Sequence, residues 1–102
     1  VTASAAGAPT SGVTTTQALA TKLGCTLDGA DNVNSGDGSS AKNSCHVANG
    51  HQVVFAIFVS KNARDGYVNE GKAIFPGAHF VIGDGWCAGG PAATAQDLAP
   101  LG

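Results

Sequence analysis

A chain of 102 residues carries one small domain with a modest core. Only 12% of its residues are charged and the net charge is −2, so no basic face for nucleic acid and no polybasic membrane anchor exists. No apolar run approaches the roughly 20 residues that a spanning helix needs.

The chain opens on VTASAAGAPTSG, without an initiating Met. Small residues with Pro and Gly have the composition of a flexible linker, and of the segment that follows a removed signal peptide. Residues 1–13 are therefore expected to be a linker, and the protein an exported one, extracellular or held in the cell envelope. A helix is expected from Thr14 to Leu23. Thr14 and Gln17 have the spacing of a capping box, and Ala18, Leu19 and Leu23 supply an apolar stripe. Gly24 stands where a C-cap glycine belongs.

Thr26 to Asn43 read as a polar surface loop. Its Asp28, Asp31 and Asp37 do not fall at the alternate positions of a calcium loop. GDGSSAKNS lacks the second glycine before the lysine that a phosphate loop requires.

Ser44 to Val59 organise the rest. Asn49-Gly50 predicts a tight hairpin turn of type I′, in which both central residues take positive φ. Along the second arm Val53, Phe55, Ile57 and Val59 share one face, and Val54, Ala56 and Phe58 the other. Apolar residues on both faces mark a strand buried twice. Two helices on one face would leave the second face for a terminal tail, another copy of the chain or a partner.

Ser60 is a good N-cap for a second helix, from Lys61 to about Ala73, with Ala63, Tyr67, Gly71 and Ile74 at helical spacing. Gly71 on that stripe would let the helix sit close to the sheet. Pro76-Gly77 ends it. His79 to Ile82 make a third strand, Gly83-Asp84-Gly85 a tight turn, and Trp86 to Ala88 a fourth strand. Pro91 to Gly102 look like a loose tail. The expected fold is α+β, in the order αββαββ: one domain over residues 14–90, with a four-stranded antiparallel sheet and both helices on one face. A 91–102 tail follows.

Three cysteines in an exported chain leave one over. A bridge from Cys25 to Cys45 would close a loop of about 20 residues and contribute on the order of 3 kcal/mol. Cys87 would then be a buried thiol, an intermolecular bridge, or the true partner of one of the others; spacing alone leaves all three pairings open.

Certain residues together resemble a known pattern. LGC at Leu23–Cys25, a cysteine on the next strand at Cys45, Phe58, Ser60, Arg64, Asp65 and Tyr67 around the second helix start, and the closing GDGW at Gly83–Trp86 are similar to small exported proteins and lipoproteins of actinobacteria. The resemblance spans about Leu19 to Trp86. It implies a Cys25–Cys45 bridge, a location in the cell envelope, and no enzymatic activity. Cys87 departs from it, since an aliphatic residue is usual there.

Chemistry is thinly represented. Cys87 with His46, His51 or His79, or Ser44 with His46, supplies a nucleophile and a base on paper. No G-x-S-x-G elbow or cysteine-protease signature accompanies them. Cys45, His46 and His51 match half of a zinc spacing, but a disulfide sulfur is a poor ligand. Gly83-x-Gly85 followed by Ala88 mimics a dinucleotide fingerprint, yet Gly89-Gly90-Pro91 forbids the helix that must follow. The expectation is thus a non-catalytic interaction module without metal or cofactor. It docks a protein partner, or itself, through a sheet edge or a face formed by Val54, Ala56, Phe58, His79, Val81 and Trp86. The alternative is a small Cys/His-dependent enzyme or metal carrier using Cys87 and the hairpin histidines.

Overall fold

The computed structural model describes residues 14–33, 36 and 38–102; the expected linker at 1–13 and Asp37 of the polar loop lie outside them. The fold is α+β, with a four-stranded antiparallel sheet and three helices in the order αββαββα. Helix α1 spans Thr16–Leu23, β1 Ala41–His46, β2 Gln52–Ile57, α2 Lys61–Ile74, β3 His79–Gly83, β4 Trp86–Gly90 and α3 Ala95–Leu98, followed by a 3₁₀ turn at Ala99–Leu101. The strands lie in the order β1-β2-β4-β3.

Helix α1 starts at Thr16, two residues after the expected boundary at Thr14, and its cap lies one residue later than the Thr14–Gln17 spacing predicts. Thr15, not Thr14, is the N-cap, and its side chain accepts a bond from the Ala18 N–H. Gly24 closes the helix in the left-handed conformation, as expected. Helix α2 begins on Ser60, whose hydroxyl accepts from the Ala63 N–H. Gly71 does bring α2 close to the sheet: a Cβ there would lie 2.9 Å from the Phe80 ring.

The hairpin turn is not type I′. Among the described residues only glycines have positive φ, so Asn49 stays on the ordinary side while Gly50 takes φ 88°. The Gly50 N–H bonds to the Val47 carbonyl and the Val47 N–H to the His51 carbonyl, giving a longer loop with Gly50 in the left-handed position. The Asn49 side chain bonds within and beyond this loop: its carbonyl accepts from the His51 N–H and its amide donates to Asp97 in α3.

The helices are not on one face. Residues paired across an antiparallel sheet share a face, so Cys45, Val53, Phe55, Ile57, Ala88 and Val81 line one side, and Val54, Ala56, Cys87 and Phe80 the other. Leu19 and Ala20 of α1, with Ala93 and Leu98, pack on the first side. Val68, Ala63 and Tyr67 of α2 pack on the second, with Phe58. Topology explains the split. β4 is inserted antiparallel between β2 and β3, so those two run parallel, and β2-α2-β3 is a crossover connection. Such crossovers are right-handed almost without exception, which assigns α2 a face by handedness. α1 precedes the sheet and is under no such rule.

Pro91–Gly102 is not a loose tail. Thr94 and Asp97 form a reciprocal capping box at the start of α3. Leu98 is 1% exposed and Leu101 packs against the same cluster. The segment closes the α1 side of the sheet, so Ala93 and Leu98 belong to the core and the domain does not stop at residue 90.

Candidate functional site

The expected interaction face does not exist as one surface. Val54 and Ala56 are on the α2 side; Val81 and Trp86 pack against the α1-side cluster, and His79 shares their side at the exposed start of β3. Ala56 and Phe58 are buried beneath α2, where the Phe58 and Tyr67 rings meet at 5.4 Å between centroids. What lies against the second face of β2 is therefore α2 itself. Of the six residues, Val54 and Phe58 border open clefts on the α2 side, and they border different ones.

Cys25 and Cys45 form the disulfide, with Cα atoms 6.0 Å apart. It ties the end of α1 to β1 and closes the loop that carries Asp28 and Asp31. That loop is more built than its composition suggests. Leu27 and Asn32 make bridges to Cys45 and Lys42, so residues 27–32 run along the outer edge of β1. Asp31 accepts bonds from Thr16 of α1 and from Asn43 of β1, and so supplies the partner that the buried Thr16 hydroxyl requires.

Cys87 is a buried cysteine outside the disulfide, on the α2 side. It pairs with Ala56, whereas His46 pairs with Gln52, four positions along β2. Four strand residues span about 13 Å, so Cys87 and His46 are too far apart to share a proton. His79 is nearer in sequence but on the opposite face. Neither His46 nor His79 is placed beside the Cys87 thiol.

The hairpin histidines serve two separate carboxylates. His46 Nδ1 lies 3.2 Å from Asp28 Oδ1, and Ser44 Oγ donates to Asp28 Oδ2 at 2.7 Å. All three residue types of a hydrolytic triad are present, but in the wrong order. The aspartate stands between serine and histidine, so the imidazole is not placed to take the hydroxyl proton. The Ser44 hydroxyl, more than His46, holds the Asp28 carboxyl below its ordinary value, against the opposing effect of burial.

His51 Nδ1 lies 2.8 Å from Asp97 Oδ2, while Asn49 donates to Oδ1 and the Thr94 N–H to Oδ2. The Asp97 side chain is 6% exposed. Its carboxyl is held well below the usual carboxylate range, first by the Thr94 N–H and then by His51. This cluster latches the hairpin tip to α3. With Cys45 in the disulfide and the two histidines on different carboxylates, the Cys45/His46/His51 grouping does not converge. Among the described residues, no three His, Cys, Asp or Glu side chains come together in a metal-binding group.

Two open clefts remain. One, of about 440 Å³, lies where β2 leaves the sheet; Phe58, Val59, Arg64, Ile82 and the Gly83–Gly85 turn line it. Arg64 donates to the Gly83 carbonyl and to Asp65, which pins the start of α2 to the end of β3. Val59 is 81% and Ile82 45% exposed beside it. The other, of about 430 Å³, lies on the α2 side between β1, β2 and the end of α2, and an adjoining hollow shares Tyr67, Phe75 and Pro91 with it. Sequence reading missed Ile74, Phe75 and Ile82 as exposed apolar residues: helical spacing put Ile74 on a packed stripe, and neither Phe75 nor Ile82 carries a local signal of exposure.

No helix among the described residues is long and apolar enough to cross a membrane. No protein-family model, no curated protein and no solved structure matches the chain.

Proposed function

We propose that this chain is a non-catalytic interaction module of an exported protein, which docks a protein partner along the outer edge of β3. The observation that carries the reading is the inequality of the two sheet edges. β1 is covered by the bridged segment 27–32, whereas among the described residues no strand pairs with the outer side of β3. An open edge is a template for an added strand, and proteins that do not use one usually blunt it. β3 has no Lys, Arg, Asp or Glu in its span; it carries the exposed Ile82, with Val59 and their cleft beside it. An extended partner segment would pair by main-chain bonds and place a side chain in that cleft. Export is supported by the Cys25–Cys45 disulfide, since such bonds persist in oxidising compartments, and by the resemblance carried by Leu23–Cys25, Cys45 and Gly83–Trp86.

The test is photo-crosslinking in the native cell envelope from a photoreactive residue at position 82, with the same residue at Asn62 as control. A defined adduct from position 82, lost when Val59→Lys is added, supports the reading. An adduct with a second copy of the chain assigns the edge to self-association. No adduct above the position-62 control refutes edge docking.

A further inference from the structure

We infer that the cleft on the α2 side is a separate binding site, and that its ligand is a neutral saccharide. The cleft is distinct from the β3 edge in position and chemistry. Its described lining is Ala30, Asn32, Lys42–Ser44, Gln52, Val54, Tyr67, Phe75 and Pro91. At about 430 Å³ it falls within the range of small-molecule sites, which combine apolar and aromatic walls with a few polar groups that set orientation.

The wall is supplied by α2. Phe75 caps the helix and is 47% exposed, although Phe is among the residues most often buried. Pro76 and Gly77 follow, so the chain turns away and leaves the ring uncovered. Tyr67 stands about two turns back along α2, with Val54 on the sheet below. The floor is polar because β1 and β2 place Lys42, Ser44 and Gln52 on this side of the sheet, beyond the part that α2 covers. Gln52 spends its amide nitrogen on Ser44 Oγ, at 3.4 Å, which leaves the carbonyl oxygen as an acceptor in the chemistry of the side chain. Asn43 turns its amide away, to the Gly29 carbonyl and Asp31.

Charge decides the ligand class. Lys42 is the one Lys, Arg, Asp or Glu in the described lining, and its Nζ lies 5.7 Å from the Tyr67 ring centroid. It does not make the cleft cationic. Asp28 is bonded to Ser44 on one flank, and Glu70 lines the adjoining hollow on the other. A charge-balanced floor gives an anion no advantage. A purely apolar ligand would strand the polar floor without partners, which costs affinity. A pyranose ring meets both demands: its C–H face lies against Phe75 and Pro91, and its hydroxyls, each donor and acceptor, bond to amide and ammonium groups.

The probes are neutral hexasaccharides of β-1,4-linked glucose, β-1,4-linked N-acetylglucosamine, α-1,4-linked glucose and β-1,4-linked xylose. They are titrated separately into ¹⁵N-labelled protein, with an oligogalacturonate and a hexa-alanine peptide alongside. The expected result is saturable shifts centred on Lys42, Gln52, Val54, Tyr67 and Phe75 with at least one neutral saccharide. Phe75→Ala should weaken binding at least tenfold, and Gln52→Ala several-fold. Both side chains are exposed, so the variants keep the native spectrum elsewhere. Binding by the oligogalacturonate or the peptide alone overturns the proposal. So does saturation by none of the neutral probes, or shifts centred on β3 instead. The β3-edge reading stands or falls separately, because Val59→Lys leaves this cleft untouched.

Discussion

Replacing Leu98 by alanine tests whether the C-terminal segment is part of the cooperative fold. Leu98 is 1% exposed and packs in the cluster that contains Leu19, Phe55 and Ala93. The substitution removes three carbons. At about 0.8 kcal/mol for each buried methylene the transfer contribution is about 2.4 kcal/mol. The cavity adds to it, because helix α1 and β2 are held by other contacts and cannot collapse fully; a total loss of about 3 kcal/mol follows. For a domain of this size each kcal/mol moves Tm by about 4–8 °C, so Tm should fall by about 12–24 °C. Urea unfolding followed by circular dichroism and by the fluorescence of the single tryptophan, Trp86, measures both numbers. The two probes should give one midpoint, since Trp86 also packs against this cluster. A loss under about 1 kcal/mol would refute the reasoning. It would mean that residues 91–102 rest on the core without contributing to it, as the expected loose tail would.

Three further outcomes follow from particular contacts. The double variant Cys25→Ala/Cys45→Ala should lose about 3 kcal/mol, because the bridge closes a loop across a sequence separation of 20; reduced wild type should match it, and equal stability of oxidised and reduced protein would contradict the assignment. Acid should destabilise through Asp97. A carboxyl whose folded pKa is lowered contributes stability above its unfolded pKa, about 4, and loses it as pH falls through the folded value. Asp97→Asn should therefore flatten the decline in urea midpoint below pH 4, and a decline parallel to wild type would count against the latch. Gly83→Ala should displace the Trp86 indole, whose ring atoms occupy the place the new Cβ must take. The expected signs are a shifted tryptophan emission maximum and a loss of about 1–3 kcal/mol; unchanged emission would show that the ring does not lie across Gly83.

The two functional readings differ in what they ask of the fold. Edge docking needs only that β3 ends the sheet, and the cleft between β2 and α2 is then free for a different ligand. Both depend on the same topological fact, the insertion of β4 between β2 and β3. That insertion makes β3 an outer strand, and it carries α2 across β4 rather than over β1. The β1 end of the α2-side face is thus left open, with Lys42, Ser44 and Gln52 on it.

Element identity was legible locally. Ser60 before an apolar stripe, Gly24 after one, and the alternating run Val53–Phe58 each state their structure through caps, propensity and period, which act over a few residues. The burial of β2 on both faces was legible too, since both of its side-chain sets are apolar. The Cys25–Cys45 bridge followed from a resemblance, not from spacing. Tertiary structure decided the rest. Strand order, and with it the side that α2 covers, depends on crossover handedness, which no local pattern encodes. The C-terminal segment read as loose because its short helix has one buried leucine and no period; it is held by Leu98 packing in the core and by Asp97 meeting Asn49 and His51, 46 to 48 residues away. The same long-range contact accompanies an Asn49-Gly50 turn longer than the form its dipeptide prefers. It also gave His51 a structural partner, where sequence could show only a histidine near a cysteine. Candidate sites were the least legible feature, because a cleft is defined by what neighbouring elements fail to cover, and that is fixed only when all of them have packed.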